Sequence, residues 1–83
     1  MRNIDKFDIY SGKILALLLI DFPIAKDIDV FSDIIRDENA TDNERKFVYH
    51  TMKALKEYGF ITYQSADVGG ELFIGVRLSL KAL

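Results

Sequence analysis

The sequence predicts an α+β fold, three helices followed by a C-terminal β-hairpin, in a single domain over residues 1–83. Three observations predict it. Apolar residues recur at helical spacing through the first two thirds of the chain. The one proline and the glycines fall between the periodic stretches rather than inside them. After Gly59 the apolar period drops from 3.6 to 2, and the composition turns β-branched and aromatic.

A first helix is expected over residues 8–22. At 100° per residue, Phe7, Tyr10, Ile14, Leu17, Leu18 and Phe22 share one face. Pro23 ends it, because proline disfavours helical geometry at the residue before it. A short extended piece, residues 24–26, follows. Asp27 is then expected to cap a second helix over residues 27–36, its carboxylate accepting free backbone N–H groups, with Phe31, Ile34 and Ile35 as the buried stripe. Residues 36–40 form a polar connection. The third helix has the clearest start signal. Thr41 and Glu44 make a T-x-x-E capping box, and Gly59 stands where a left-handed residue would close the helix. Phe47, Val48, Thr51, Leu55 and Tyr58 are expected on its inner face, with Met52 at the margin. Phe60-Ile61-Thr62-Tyr63-Gln64 and Leu72-Phe73-Ile74-Gly75-Val76-Arg77-Leu78 are the hairpin arms, and the segment containing Gly69 and Gly70 is the turn. Ser79 is placed to cap a last turn through Lys81.

Composition narrows the function. Nearly half of the chain is apolar (49%) and 29% is charged, a globular balance. Eleven Lys+Arg against thirteen Asp+Glu give −2, which excludes a generally basic nucleic-acid coat. The absence of Cys and the single His exclude disulfide frameworks, zinc fingers and cysteine nucleophiles. The longest apolar run, residues 14–20, is far below the ~20 residues that span a bilayer. The first residues have no apolar signal-peptide core, so a cytoplasmic location without membrane contact is expected.

The order helix, short strand, helix, helix, hairpin resembles a winged helix-turn-helix domain, a three-helix bundle with a C-terminal β-hairpin wing. It resembles especially the small bacterial and phage regulators of that superfamily. Val48-x3-Met52-x2-Leu55-x3-Gly59-x-Ile61 is similar to the superfamily's passage from third helix into wing. Val76-Arg77-Leu78-Ser79-Leu80-Lys81 is similar to the end of the second wing strand. The resemblance covers residues 10–83. It departs from the usual pattern in a longer, more acidic connection before the third helix and in having almost no fourth helix. What it implies is a third helix lying in the major groove, with the hairpin along the DNA backbone.

Charge is distributed unevenly. Residues 21–42 carry a net −5, whereas residues 43–58 carry +2. The excess of cations thus falls on the third helix, whose outward face carries Lys46, Tyr49, His50, Lys53 and Lys56, with Arg45 near its start. Arg and Lys are the residue types that take guanine edges and neutralise phosphates. Arg77 on the second hairpin arm is a further backbone contact, with Gln64 and Ser65, although Asp67 and Glu71 at the hairpin tip oppose one. The bland alternative is an ordinary solvated helix face with pairs such as Lys53–Glu57. Asp27, Asp29 and Asp33 would repel phosphate, so a single copy is expected to bind weakly.

Two copies would compensate. Ile9, Gly12, Ala16 and Ile20, with Leu19 beside them, form a second apolar stripe on the first helix. Either the helix is covered on both sides within one molecule, or the stripe is a homodimer interface, which the small size of the chain favours. The expected function is a non-enzymatic transcription regulator that binds double-stranded DNA as a homodimer, with no cofactor and no metal. The alternative is a protein–protein interaction module on the same fold, whose acidic second helix meets a basic partner. Other chemistries are weaker. His50 lacks an activating motif for Ser11, Ser32, Ser65 or Ser79. The aspartates do not match a calcium loop. Gly69-Gly70 is not followed by a helix that could cradle phosphate.

Overall fold

The computed structural model describes residues 3–36, 39, 41–67 and 69–79. The chain forms α1 (Asn3–Asp21), β1 (Lys26–Asp29), a short π-helix (Val30–Ile35), α2 (Asp42–Glu57), β2 (Ile61–Thr62), β3 (Ser65–Ala66) and β4 (Leu72–Leu78). This is an α+β fold of helices on a small antiparallel sheet.

The first helix begins about a turn earlier than periodicity alone places it and ends before Phe22 and Pro23. Ile14 and Leu18 are buried, and Phe7, Tyr10, Leu17 and Phe22 pack partly buried around them, the face that the sequence predicts. Beyond the helix, the Lys26 ammonium pairs with the Asp21 carboxylate at 3.0 Å across the turn.

The segment after α1 corrects the sequence reading. Asp27 does not cap a helix over residues 27–36; it lies within β1, which pairs antiparallel with β4 (Ile28 opposite Phe73, Asp29 opposite Leu72). Ile28 and Val30 are fully buried while Asp27 is exposed, the two-residue alternation of a half-buried strand. The register shifts between Lys26 and Ile28, and the Asp27 carboxylate accepts the Gly75 N–H at 3.0 Å. The helix starts three residues later and is a single wide turn. Asp29 is its cap, accepting from the Ser32 N–H at 3.0 Å, and Asp33 accepts the Asp29 N–H at 2.9 Å. Its last bond, from the Arg36 N–H to the Phe31 carbonyl at 2.8 Å, spans five residues, and Arg36 itself is left-handed (φ 57°). Ile34 and Ile35 are buried as expected. Asp37, Glu38 and Ala40 of the predicted polar connection lie outside the described residues.

The third predicted helix is α2. Thr41 caps it by accepting the Glu44 N–H at 3.2 Å. Gly59 (φ 81°) ends it, with the Phe60 N–H reaching back to the Leu55 carbonyl at 2.9 Å. Two expectations of its inner face change. Met52, expected at the margin, is fully buried, and Tyr58, expected inside, is 62% exposed beside the terminating glycine. Val48, Thr51 and Leu55 are buried, and Phe47 is half-buried against Tyr10.

The hairpin's first arm is broken in two. β2 pairs with the end of β4 (Ile61 opposite Leu78, Thr62 opposite Arg77), and β3 pairs further along it (Ser65 opposite Ile74, Ala66 opposite Phe73). The break falls opposite Gly75 (φ 66°), and the pairs on either side of it keep one register; the irregularity of β4 is in its pairing with β1. β4 is therefore the central strand, with β1 on one side and β2 and β3 on the other. Its fully buried Phe73 and Val76 meet Ile14, Val48 and Ile28 in one core. The Ser79 hydroxyl donates to the Gly59 carbonyl, tying the end of β4 to the end of α2. The helical turn expected from Ser79 through Lys81 lies outside the described residues beyond Ser79.

Candidate nucleic-acid interface

α2 carries the candidate site because its two faces are chemically opposed. One face buries Val48, Thr51, Met52 and Leu55, and the Thr51 hydroxyl donates to the Phe47 carbonyl at 2.9 Å. On the other face Lys46, His50 and Lys53 follow at i, i+4 and i+7, all exposed, with Asn43 exposed one turn before them. Lys56 is exposed on the flank that faces the sheet.

The lysines are not all free-swinging. Tyr49 and Tyr63 both pack on the buried ring of Phe73, at centroid distances of 5.8 and 5.1 Å. The Lys53 ammonium sits 5.5 Å from the Tyr49 ring and the Lys56 ammonium 4.2 Å from the Tyr63 ring. Each ring thus positions a cation electrostatically while leaving it in water. Burial first, then electrostatic interaction with Tyr49 and with Glu57, pushes the Tyr63 phenol above its usual range. His50 meets Tyr49 edge-on at 5.4 Å.

The hairpin turn closes against this helix. The Asp67 carboxylate accepts the N–H groups of Leu72 (3.1 Å) and Glu71 (2.8 Å), bonds that hold its pKa below the usual carboxylate range. Gly70 (φ 71°) is buried against Tyr49; a Cβ there would lie 2.7 Å from the ring. Between turn and helix runs a groove of about 450 Å³ lined by Asp42, Arg45, Lys46, Tyr49, His50, Gly69, Gly70 and Glu71.

Five of the seven predicted contact residues, Arg45, Lys46, Tyr49, His50 and Lys53, therefore lie together along the groove and the helix face beside it, with Lys56 on the adjoining flank. Arg45 is not a free cation. Its guanidinium pairs with Glu71 at 3.2 Å and stacks over the Phe31 ring at 4.9 Å, while its Nε is buried. Arg77 is exposed near the other end of β4, beside Phe22, Pro23 and Thr62, and does not join the groove. Asp27, Asp29 and Asp33 each engage a backbone N–H, which gives them structural work at strand and helix ends. Among the described residues, no group of three or more His, Asp or Glu could hold a metal ion. Likewise no helix among them is long and apolar enough to cross a membrane.

Sequence reasoning missed Glu71, Tyr63 and Phe31 as the partners that hold Arg45 and Lys56. Their only sequence signal was an aromatic or a carboxylate in a distant element.

The second stripe of α1 is uncovered. Ile9 (46%), Leu19 (57%) and Ile20 (77%) are exposed, as are Ala16 and Gly12, and a Cβ on Gly12 would meet nothing within 4 Å. Beside it a shallow groove of about 360 Å³ runs between Ala16, Leu17 and Ile20 of α1 and Ile34 and Ile35 of the π-helix.

Comparison with protein-family models, with curated proteins and with solved structures finds no match to this chain.

Proposed function

We propose that the chain is a winged helix-turn-helix domain that binds double-stranded DNA through α2 and regulates transcription in the cytoplasm without catalysis or a cofactor. The observation that carries this reading is the exposed row Lys46, His50, Lys53, with Lys56 on its flank, on a helix whose opposite face is core. Sheet topology supports the fold assignment. A strand between the first two helices pairs with the returning arm of the hairpin, as the resemblance to winged helices requires.

In this mechanism α2 enters the major groove. Lys53 and Lys56, steadied on Tyr49 and Tyr63, neutralise phosphates, while Lys46 and His50 reach base edges. Occupancy of a promoter then excludes or recruits other proteins. The two phosphate-neutralising lysines on one copy give a log–log salt slope of about −2, since each neutralised phosphate contributes about −0.9. A mobility shift on mixed duplex fragments across a salt series tests the reading. Retention that weakens steeply with salt supports it, and failure to bind at the lowest salt removes it.

The same reading includes a homodimer through Ile9, Gly12, Ala16, Leu19 and Ile20. Two copies would double the phosphate contacts of a chain whose net charge is −2. Size-exclusion chromatography with light scattering should give twice the 9.5 kDa chain mass, and Ile20→Lys should return it to one. A strict monomer at high concentration removes the dimer.

The alternative function is a protein–protein interaction module on this fold. Its supporting observation is the acid around the groove, where Asp42 and Glu71 face the cations and Glu71 already pairs with Arg45. It predicts no duplex binding at any salt concentration.

A further inference from the structure

We propose that Glu71 is an internal counter-ion that competes with nucleic-acid phosphate for Arg45, so that the hairpin turn sets how many cations α2 offers to DNA. The proposal rests on the DNA-binding reading and assigns a regulating residue to that same groove.

The first observation is that the Glu71 carboxylate has no evident role in shaping the turn. The turn is built by the Asp67 carboxylate on the N–H groups of Glu71 and Leu72, by the Gly70 N–H on the Asp67 carbonyl (3.0 Å), and by Gly70 against Tyr49. Glu71 also enters the sheet edge through its backbone, its carbonyl accepting the Val30 N–H at 2.7 Å. The side chain is left to contact Arg45.

The second observation is the state of Arg45. It stands in the first turns of α2, one residue before Lys46, and lines the groove that a phosphate would enter. Nη1 is 3.2 Å from the Glu71 carboxylate, and the Phe31 ring lies 4.9 Å from the guanidinium carbon. A guanidinium carries five N–H donors, and its Nε is buried without a partner, so this Arg is underused as a donor. The Arg45 and Glu71 side chains are 34% and 51% exposed, so the pair can open into water without unfolding anything. An exposed pair of this kind contributes little to stability, but a carboxylate at the mouth of the groove repels an incoming phosphate directly.

In the free protein Glu71 holds Arg45 and subtracts one cation from the surface. On a duplex, phosphate must either displace the carboxylate or leave Arg45 unused. Both outcomes lower affinity for DNA backbone of any sequence and favour sites where Lys46 and His50 also find partners.

The test is a double-mutant cycle on the full chain, with duplex affinity measured across a salt series for wild type, Glu71→Gln, Arg45→Gln and the double variant. Glu71→Gln should bind about three- to tenfold tighter at low salt, with a slope steeper by about 0.9, one extra phosphate contact. Arg45→Gln alone should weaken binding, since it leaves the Glu71 carboxylate uncompensated at the groove mouth, and the double variant should lose the gain and return to near the wild-type affinity. An unchanged melting temperature for Glu71→Gln confirms that the turn persists. If wild type binds but Glu71→Gln binds equally or more weakly, Glu71 is inert or orients Arg45, and the proposal is overturned while DNA binding stands. If none of the four proteins binds duplex, the DNA-binding reading itself fails.

Discussion

Replacing Gly70 by Ala tests the claim that the hairpin turn is locked to α2. Two costs are legible in the structure. The residue sits at φ 71°, where an L side chain costs about 1–2 kcal/mol. Its Cβ would also lie 2.7 Å from Tyr49 Cδ1, so the ring must move off Phe73, with which it packs at 5.8 Å. Losing much of an aromatic contact of this kind costs about 0.5–1.5 kcal/mol. The total is about 2–3 kcal/mol, out of the roughly 4–12 kcal/mol expected for a domain of this length. Urea unfolding should show it as a midpoint about 2 M lower, taking a slope near 1 kcal/mol/M. Gly69→Ala is the control. Its Cβ would meet only the Asp67 carboxylate at 3.8 Å, and its cost should stay within about 0.5 kcal/mol. Adding Tyr49→Ala to Gly70→Ala removes the clash, so the double variant should cost less than the two singles added. Equal costs for the two glycines, or strict additivity in the double variant, would refute the reasoning.

Three further predictions concern the elements that hold the site. Thr41→Ala should cost about 1 kcal/mol by leaving the Glu44 N–H unpaired at the start of α2, and Thr41→Ser should restore it in chemical denaturation. Phe73→Ala should cost about 3–5 kcal/mol, because the fully buried ring carries both Tyr49 and Tyr63; a melt barely weakened would show that the aromatic seat is not part of the core. Asp67 has a folded pKa held low by the Leu72 and Glu71 N–H groups. Its contribution is therefore fully present above the unfolded carboxylate pKa and is lost as pH falls through the folded one. The stability gap between wild type and Asp67→Asn should shrink below about pH 4, and a gap that widens on acidification would reverse the sign of this argument.

What the sequence made legible is what local chemistry decides. Thr41, Glu44 and Gly59 bound α2 at both ends, and its periodicity separates Val48 and Leu55 from Lys46, His50 and Lys53 without reference to the rest of the chain. The π-helix was displaced because Asp27 and Asp29 are equally good caps by type. The choice between them is made by β4, 43 to 50 positions further on, whose pairing draws Asp27 into a strand. The alternation of Ile28 and Val30 with aspartates was the available signal, but four residues are too few to outweigh a helix pattern. Likewise the fate of Arg45 depends on Glu71, 26 residues away, and on a turn closed by Gly70. The seat of Lys56 depends on where β2 ends, which leaves Tyr63 between β2 and β3. These are non-local consequences of register, which residue spacing along one element does not encode.

The central claim is that the exposed flank of α2 is the surface that meets DNA. Titrating a short duplex into isotopically labelled protein and following backbone amides by NMR tests it most directly. The account predicts shifts that cluster on Asn43, Lys46, Tyr49, His50, Lys53 and Lys56 and on the turn at Gly69 to Glu71, while Gly12, Ala16 and Ile20 stay still. Perturbation centred on the α1 stripe, or none anywhere at low salt, would contradict it.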